Sequence, residues 1–301
     1  MKLLVHPLVE AQIRALVAAP GGTVLLHGPR HVGKFTAAQE IARQLNCAKV
    51  AGGACTDGSC RSCRKLAGGN HPNLTLVQPD DKNKIGVEPI HELQHGLHYG
   101  QYEAPGRRVV IIRGADRLTL PAQNALLKTL EEPPSGTTII MTAEEPTALL
   151  PTVLSRCRQL FLPRLPVKVI AEFLQRGAGG AVAAAEANRL AAASHGLPGR
   201  AVTYRADADG LAQDGQRAAQ VRRFLDAATL FERLQLAAQI ASATAERADY
   251  LAELTDQVRS AARQGMPQAA RQLAGVGRLQ QHLQANVNPK TAFEALAVEL
   301  A

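Results

Sequence analysis

The sequence TVLLHGPRHVGKF, residues 23–35, decides the fold of the N-terminal part of this chain. A β-branched and aliphatic run leads into a loop that matches the pattern G-x-x-x-x-G-K through Gly28, Gly33 and Lys34. Apolar residues at helical spacing follow over residues 35–45. The order of strand, loop and helix predicts an α/β domain with a phosphate-binding loop.

The loop departs from its pattern one residue after the lysine, where Phe35 stands in place of serine or threonine. That hydroxyl normally holds Mg²⁺, which a phenyl ring cannot do. Thr36 has a hydroxyl, but at ~100° per helical residue it projects away from the site. We therefore expect no Mg²⁺ here. ATP binding is left open, because the glycines also suit a strand-to-helix turn that binds no nucleotide.

A second departure lies at the end of the apolar strand predicted for residues 108–112, which is followed by Arg113 and Gly114. In an ATPase such a strand normally ends in two acids, one that holds Mg²⁺ and one that polarises the attacking water. Asp116 lies too far beyond the end of the strand for either role, and we expect it to help start the following helix. The sequence therefore predicts a chain that does not hydrolyse ATP.

Composition limits the class of protein. The chain has 301 residues, a formal net charge of +8 and a pI near 9.5, which favours a polyanionic partner, although arginines at subunit contacts would give the same sum. It has no Trp and few Tyr or Phe, so base stacking on an aromatic platform is not expected. No apolar run approaches the ~18–20 residues that span a bilayer, and we expect a cytoplasmic protein without a membrane partner.

Four of the five cysteines lie close together in the spacing C-x7-C-x4-C-x2-C. Four thiolates on a short loop suit tetrahedral Zn²⁺, and four protein ligands leave no open position, so the zinc would be structural. Disulfides and redox-active thiols are the alternatives, and a reducing cytosol disfavours the disulfides. The predicted ligands are Cys47, Cys55, Cys60 and Cys63.

The most specific motifs lie in the middle of the chain. They are N-A-L-L-K-T-L-E-E-P-P at residues 124–134, a strand predicted at residues 137–141, and L-S-R-C at residues 154–157. In this order they resemble the bacterial clamp-loader subunits of the AAA+ superfamily. The resemblance runs over nearly the whole chain and includes the cysteine cluster, which lies where these subunits carry zinc.

The resemblance implies three domains. The first is a three-layer α/β AAA+ P-loop domain at residues 1–164 with an inserted zinc module at 47–63. A small helical lid at residues 165–206 and an all-α collar for oligomerisation at residues 207–301 follow. In the lid, S-H-G-L-P-G-R-A resembles a second sensor, which either brings Arg200 to a bound phosphate or leaves it on the surface at a helix start.

The same resemblance gives Arg156 a role. In clamp loaders the arginine of Ser155-Arg156-Cys157 points into the ATP site of the next subunit, as an arginine finger supplied in trans. The planar donors of a guanidinium suit this role because they can hold phosphate oxygens while charge shifts between them. The alternative is that Arg156 only pairs with an acid of its own domain. Cys157 is expected to pack as a small apolar residue.

The resemblance therefore implies a non-hydrolysing subunit of the DNA polymerase III clamp-loader complex, acting while the sliding clamp is loaded on primed DNA. Its expected partners are motor (gamma/tau-type) and delta-type subunits, the clamp, and primed DNA through the complex. Polymerase activity would belong to it by association only. One alternative is an active AAA+ ATPase of the motor type, which only Gly28, Gly33 and Lys34 support. The other is a zinc-containing nucleic-acid binding protein that acts alone.

Overall fold

A computed structural model of the chain describes residues 4–47, 55, 58–99, 107–177, 181–244, 246–285 and 287–301. The chain divides into two compact units, Met1–Arg205 and Ala206–Ala301. Part of the predicted zinc module, residues 48–54, 56 and 57, lies outside the described residues. The expected division into three domains stays a prediction.

A parallel sheet forms the centre of the first unit, and its strand order is β2-β3-β4-β1-β5. The strands are β1 (Gly22–His27), β2 (Leu74–Val77), β3 (Arg108–Ile112), β4 (Thr137–Ala143) and β5 (Arg158–Phe161). Every residue of β3 and β4 is buried, as expected for strands that are covered on both faces.

Helices cover both faces of this sheet. Those of the first unit are α1 (Pro7–Ala18), α2 (Lys34–Asn46), α3 (Arg61–Ala67), α4 (Glu88–Tyr99), α5 (Leu120–Glu131), α6 (Pro151–Leu154), α7 (Val167–Gln175), α8 (Ala184–Ala193) and α9 (Pro198–Ala206), the last of which ends in the first residue of the second unit. One apolar cluster packs α1 and α2 on one face, and another packs α4 and α5 on the opposite face. The three-layer α/β domain predicted from the sequence is therefore confirmed.

The start of α5 corrects one expectation. Asp116 does not start this helix, because it lies in a separate 3₁₀ turn, Ala115–Arg117. Thr119 caps α5 instead, and its Oγ1 accepts a hydrogen bond from the backbone N–H of Ala122 at 3.4 Å. The capping threonine lies directly before the first helical residue, whereas Asp116 is too far back along the chain.

The second unit is helical throughout its described residues, with α10 (Ala208–Asp226), α11 (Leu230–Ser242), α12 (Arg247–Arg263), α13 (Ala269–Gln284) and α14 (Pro289–Glu299). Asn288 caps α14, because its side chain accepts a hydrogen bond from the N–H of Lys290 at 2.9 Å. Ala292, Phe293, Leu296 and Ala297 are buried in the core of this unit. These four side chains therefore pack inside the second unit, and the use of this unit for oligomerisation stays a prediction.

Among the described residues, no helix combines the length and apolar character needed to cross a membrane.

Candidate functional site

The loop between β1 and α2 contains two glycines that its backbone requires. Gly28 has a φ of +149°, and a Cβ on it would lie 2.5 Å from the carbonyl oxygen of Leu162. Gly33 has a φ of +96° and directly precedes α2. Residues with a side chain rarely adopt such φ values. The glycines therefore serve the geometry of this turn whether or not a phosphate binds there.

Lys34, which would bind phosphate in an intact loop, is turned back onto the loop itself. Its Nζ donates hydrogen bonds to the carbonyl oxygens of Gly28 and Pro29, each at 2.8 Å. Burial lowers the pKa of Lys34 and the charge of Arg30 acts in the same direction, while carboxylates beyond β3 and β4 oppose both. A phosphate would have to replace two hydrogen bonds that the lysine already makes.

The two residues that depart from the ATPase pattern contact each other. The guanidinium carbon of Arg113, which follows β3, lies 4.8 Å from the centre of the Phe35 ring. This is a cation–π contact, in which the positive charge faces the electron-rich ring. Neither side chain offers an oxygen to Mg²⁺. A positive charge thus lies where an ATPase of this fold needs a metal ligand.

The polar groups beyond β3 and β4 bind one another. The hydroxyl of Thr142 accepts from the backbone N–H of Gly114 at 3.0 Å. The carboxylate of Asp116 accepts from the backbone N–H of Glu144 at 3.3 Å. These bonds join the carboxyl ends of the two strands, so the hydroxyl and the carboxylate have a structural use at this edge.

The first turn of α9 packs directly on the loop. The N–H of Gly199 donates to the carbonyl oxygen of His31 at 2.9 Å, and a Cβ on Gly199 would lie 2.8 Å from that oxygen. Arg200 follows, and its guanidinium carbon lies 5.5 Å from the ring centre of Tyr204 in the same helix. The structure brings the sensor-like segment to the loop, and contact of Arg200 with a phosphate stays a prediction.

The cleft between α1 and the loop is closed. Its walls are apolar apart from one histidine, and within the described residues it holds no space for a water molecule. The lining residues are Val5, His6, Val9, Val32, Leu162, Pro163 and Leu165. A nucleobase bound beside the loop would have to separate these side chains.

The four predicted zinc ligands come together at the end of α2 and the start of α3. Their Sγ atoms all lie within 4.8 Å of one another, with closest separations of 3.4 to 3.9 Å. A tetrahedral ion with Zn–S bonds of about 2.3 Å would place its sulfurs ~3.8 Å apart. None of the four is joined in a disulfide, and three are buried. The cluster could therefore hold one metal ion with four sulfur ligands.

Arg43 places a positive charge beside this cluster. Its Nη1 donates to the carbonyl oxygen of Cys55 at 2.8 Å and lies 3.9 Å from the Sγ of Cys63. Two further hydrogen bonds, at 2.6 and 2.8 Å, join the guanidinium to the carboxylate of Glu40. Four thiolates around a divalent ion carry a net charge of −2, so a fixed guanidinium is the type of neighbour that such a site needs.

A buried polar network connects the cysteine cluster to the sheet. Ser62 in α3 donates to the carbonyl oxygen of Asn46 at 2.5 Å and lies 2.9 Å from Nε2 of His71. The Nδ1 of His71 accepts from the N–H of Asn73, so the network assigns its ring proton to Nε2. The side-chain amide of Asn73 donates a hydrogen bond to Oδ1 of Asn46 at 2.9 Å. The end of α2, α3 and the start of β2 are thus held together.

Arg156 lies two residues after α6 and pairs with an acid of its own chain. Its Nε donates to Oε2 of Glu131 at 2.8 Å, and its Nη1 donates to the carbonyl oxygen of Thr152 at 3.0 Å. Cys157 packs against the apolar core, and burial raises the pKa of its thiol to about 12. The sequence had offered both an arginine finger and a partner acid for Arg156, and the isolated chain contains the pair.

Arg156 lies near the amino ends of the strands, whereas the loop of its own chain lies at their carboxyl ends. It precedes β5, whose Arg158 pairs with Val24, whereas the loop begins at Gly28 after the far end of β1. In a parallel sheet four residues of strand span ~13 Å. Arg156 is therefore too far along the sheet to serve its own loop.

Gln123 is a buried residue that the sequence did not single out. Its amide nitrogen lies 3.2 Å from the carbonyl oxygen of Leu118 and 3.3 Å from that of Ala148, and its Oε1 accepts from the N–H of Leu150 at 2.8 Å. These bonds join α5 to the segment that leads to Arg156. A signal was present, because Gln123 shares the apolar stripe of α5 with Leu126.

Comparison with known proteins supports one relationship. Residues 18–166 match the family model described as DNA polymerase III, delta subunit. The chain is 38% identical over 154 residues to the DNA polymerase III subunit delta-prime of Pseudomonas aeruginosa, which covers 50% of this chain and 46% of that protein. It is 39% identical over 150 residues to the subunit of the same name from Bacillus subtilis. This match covers 50% of this chain and 44% of that protein. The matched part thus spans less than half of these curated relatives.

Two more distant likenesses were found. The gamma/tau subunit of DNA polymerase III from Mycobacterium tuberculosis is 35% identical over 153 residues, which covers 50% of this chain and 26% of that protein. A solved structure of a RuvB variant from Thermotoga maritima gives a TM-score of 0.50 at 15% identity, over 74% of this chain and 76% of that one. The last likeness concerns the fold alone.

Proposed function

We propose that the chain is a non-hydrolysing subunit of a clamp-loader complex, because residues 18–166 match the family described as DNA polymerase III, delta subunit, and about half of the chain is 38–39% identical to delta-prime subunits. In this proposal it assembles with motor (gamma/tau-type) and delta-type subunits. It supplies Arg156 to the ATP site of a neighbouring motor subunit while a sliding clamp is loaded on primed DNA. The proposal includes a cytoplasmic location, where bacterial DNA is replicated.

The observation that carries this proposal is the position of Arg156. It precedes β5, at the amino ends of the strands, whereas the loop of its own chain lies at their carboxyl ends. Its side chain is 31% exposed. An arginine that acts on a phosphate from this position has to act on one bound by another subunit. Such a group stabilises the charge that develops on the transferred phosphoryl group.

The state of the loop supports the non-hydrolysing part of the proposal. Phe35 and Arg113 fill the positions of the Mg²⁺-binding hydroxyl and acid, and Lys34 is bonded to the loop. Hydrolysis by P-loop proteins depends on a bound Mg²⁺ and a positioned water. We propose that this chain leaves both to its neighbours, and that its polymerase activity exists only by association.

We also propose that Cys47, Cys55, Cys60 and Cys63 hold a structural Zn²⁺. The sulfur separations and the adjacent Arg43 support four thiolate ligands. When bound, the ion would cross-link the end of α2 to α3, and with no open ligand position it would take no part in chemistry.

Reconstitution with Arg156→Ala tests the proposed function. We expect the complex to assemble but its DNA-stimulated ATP turnover to fall by at least ~10-fold, because loss of an arginine finger costs ~10³ to 10⁵ at a single site. Unchanged turnover and clamp loading in an assembled complex would show that the finger assignment is wrong. Mg²⁺-dependent hydrolysis by the isolated chain that is lost in Lys34→Ala would instead favour an active ATPase.

A further inference from the structure

The guanidinium of Arg156 is held through two of its three nitrogens. Its Nε binds Glu131 and its Nη1 binds the carbonyl oxygen of Thr152. Within the described residues, its Nη2 makes no hydrogen bond. A guanidinium carries five N–H donors in a rigid plane. The chain thus orients this plane and leaves donors available for a ligand from outside the subunit.

Glu131 occupies a position where an acid is otherwise unfavourable. It is the last residue of α5, next to the negative end of the helix dipole, and its side chain is 59% exposed. Within the part of the chain that the structure describes, its carboxylate makes one interaction, the pair with Arg156. The neighbouring Glu132 is also exposed and forms no side-chain bond among the described residues. The two acids therefore differ in their contact with the guanidinium.

We propose that Glu131 is a positioning residue for the arginine finger, an inference that rests on the proposed function of Arg156. Arginine has a long side chain with many rotamers, and ordering it at the moment of reaction has an entropic cost. The bond from Nε to Glu131, with that from Nη1 to Thr152, fixes the plane of the guanidinium before a phosphate arrives. An exposed ion pair contributes little to stability, so the pair acts on orientation rather than on folding.

The chain offers a graded set of variants for this test. Glu131→Gln keeps the size of the side chain and one oxygen acceptor but removes the charge. Glu131→Ala removes the acceptor as well. Glu132→Gln is the matched control, because it removes the same charge one residue away without touching Arg156.

The experiment measures steady-state ATP turnover of the complex, reconstituted with the other subunits from the same bacterium, in the presence of clamp and primed DNA. We expect Glu131→Ala to lower kcat by ~10-fold with little change in KM, since misplacement of a reacting group by about 1 Å can cost ~10²-fold. Glu131→Gln should lie between Glu131→Ala and the wild type. Glu132→Gln should match the wild type, and Glu131→Ala should add nothing to Arg156→Ala.

The outcomes separate this inference from the proposed function. If Arg156→Ala leaves turnover unchanged, the finger assignment fails. If Arg156→Ala is defective but Glu131→Ala and Glu131→Gln both match the wild type, Arg156 is the finger and Glu131 does not position it. A Glu131→Ala defect that persists in the Arg156→Ala background overturns the inference. So does a loss of assembly or of thermal stability in both Glu131 variants but not in Glu132→Gln, because the pair would then be structural only.

Discussion

Phe35 and Arg113 are distant in the sequence and form one contact in the fold. The sequence predicted each departure separately, because each position belongs to a known pattern. It did not predict that the two side chains meet, since this depends on how the start of α2 lies relative to the end of β3 in the fold. The contact explains why a single reversion would not rebuild a metal site. Phe35→Thr would add a hydroxyl beside a guanidinium, where Mg²⁺ is repelled.

A double-mutant cycle on this pair is the prediction at the scale of the residue. Phe35→Leu and Arg113→Ala should each lower the free energy of unfolding. The double variant should lose less of this free energy than the two single variants together. An exposed cation–π contact gives a coupling of about 0.5–1 kcal/mol. Denaturant unfolding of the four proteins measures it.

The control for this cycle is Arg117→Ala, an exposed arginine in the adjacent 3₁₀ turn. It should show no coupling to Phe35→Leu. Strict additivity of Phe35→Leu with Arg113→Ala would contradict the assignment of a stabilising contact between the two residues.

At the scale of the element, the strands and the loop of the first unit were predictable because each has a local pattern. The apolar runs of β3 and β4 and the glycines of the loop are examples. The hydrogen bonds of Gln123, Asn46 and His71 were not predictable, because each joins elements that are distant in sequence. A buried polar residue on an apolar stripe signals that a partner exists, but the partner follows only from the packing.

Removal of the proposed zinc ion gives the prediction at this scale. The helix α3 has only 7 residues, and isolated helices shorter than about 12–15 residues are marginal in water. It is held by the cysteine cluster and by the bonds around Ser62. We expect a chelator to abolish hydrogen-exchange protection in α3 and to weaken it at the end of α2, while β3 and β4 stay protected.

Two serine variants act as the controls for zinc. Cys63→Ser should lower the zinc content and reproduce the effect of the chelator, because it removes a ligand. Cys157→Ser should keep the zinc content of the wild type, since this cysteine packs against the apolar core apart from the cluster. Protection of α3 that is unchanged without metal would disprove a structural role for the ion.

At the scale of the whole molecule, the boundary between the two units follows a change in composition. Beyond residue 206 the sequence is rich in Ala, Gln, Arg and Leu and carries no strand pattern, and the structure there is helical with its own core. Phe224 and Phe293 are buried in that core. The first unit instead builds its two cores on the faces of the sheet. Separate cores predict units that unfold as separate cooperative transitions.

Phe293→Ala tests this independence. Removal of a buried phenylalanine costs about 3–5 kcal/mol. For a unit of about 100 residues, that loss lowers its melting transition by ~12 °C or more. Calorimetry of the intact chain should show the melting temperature of the second unit falling while that of the first unit stays unchanged.

Phe231→Ala is the matched control, because Phe231 lies in α11 of the same unit and is 72% exposed. It should change stability by less than ~0.5 kcal/mol. If both transitions fall together in Phe293→Ala, the two cores are coupled, and changes in either unit would then reach Arg156 through the stability of the whole chain.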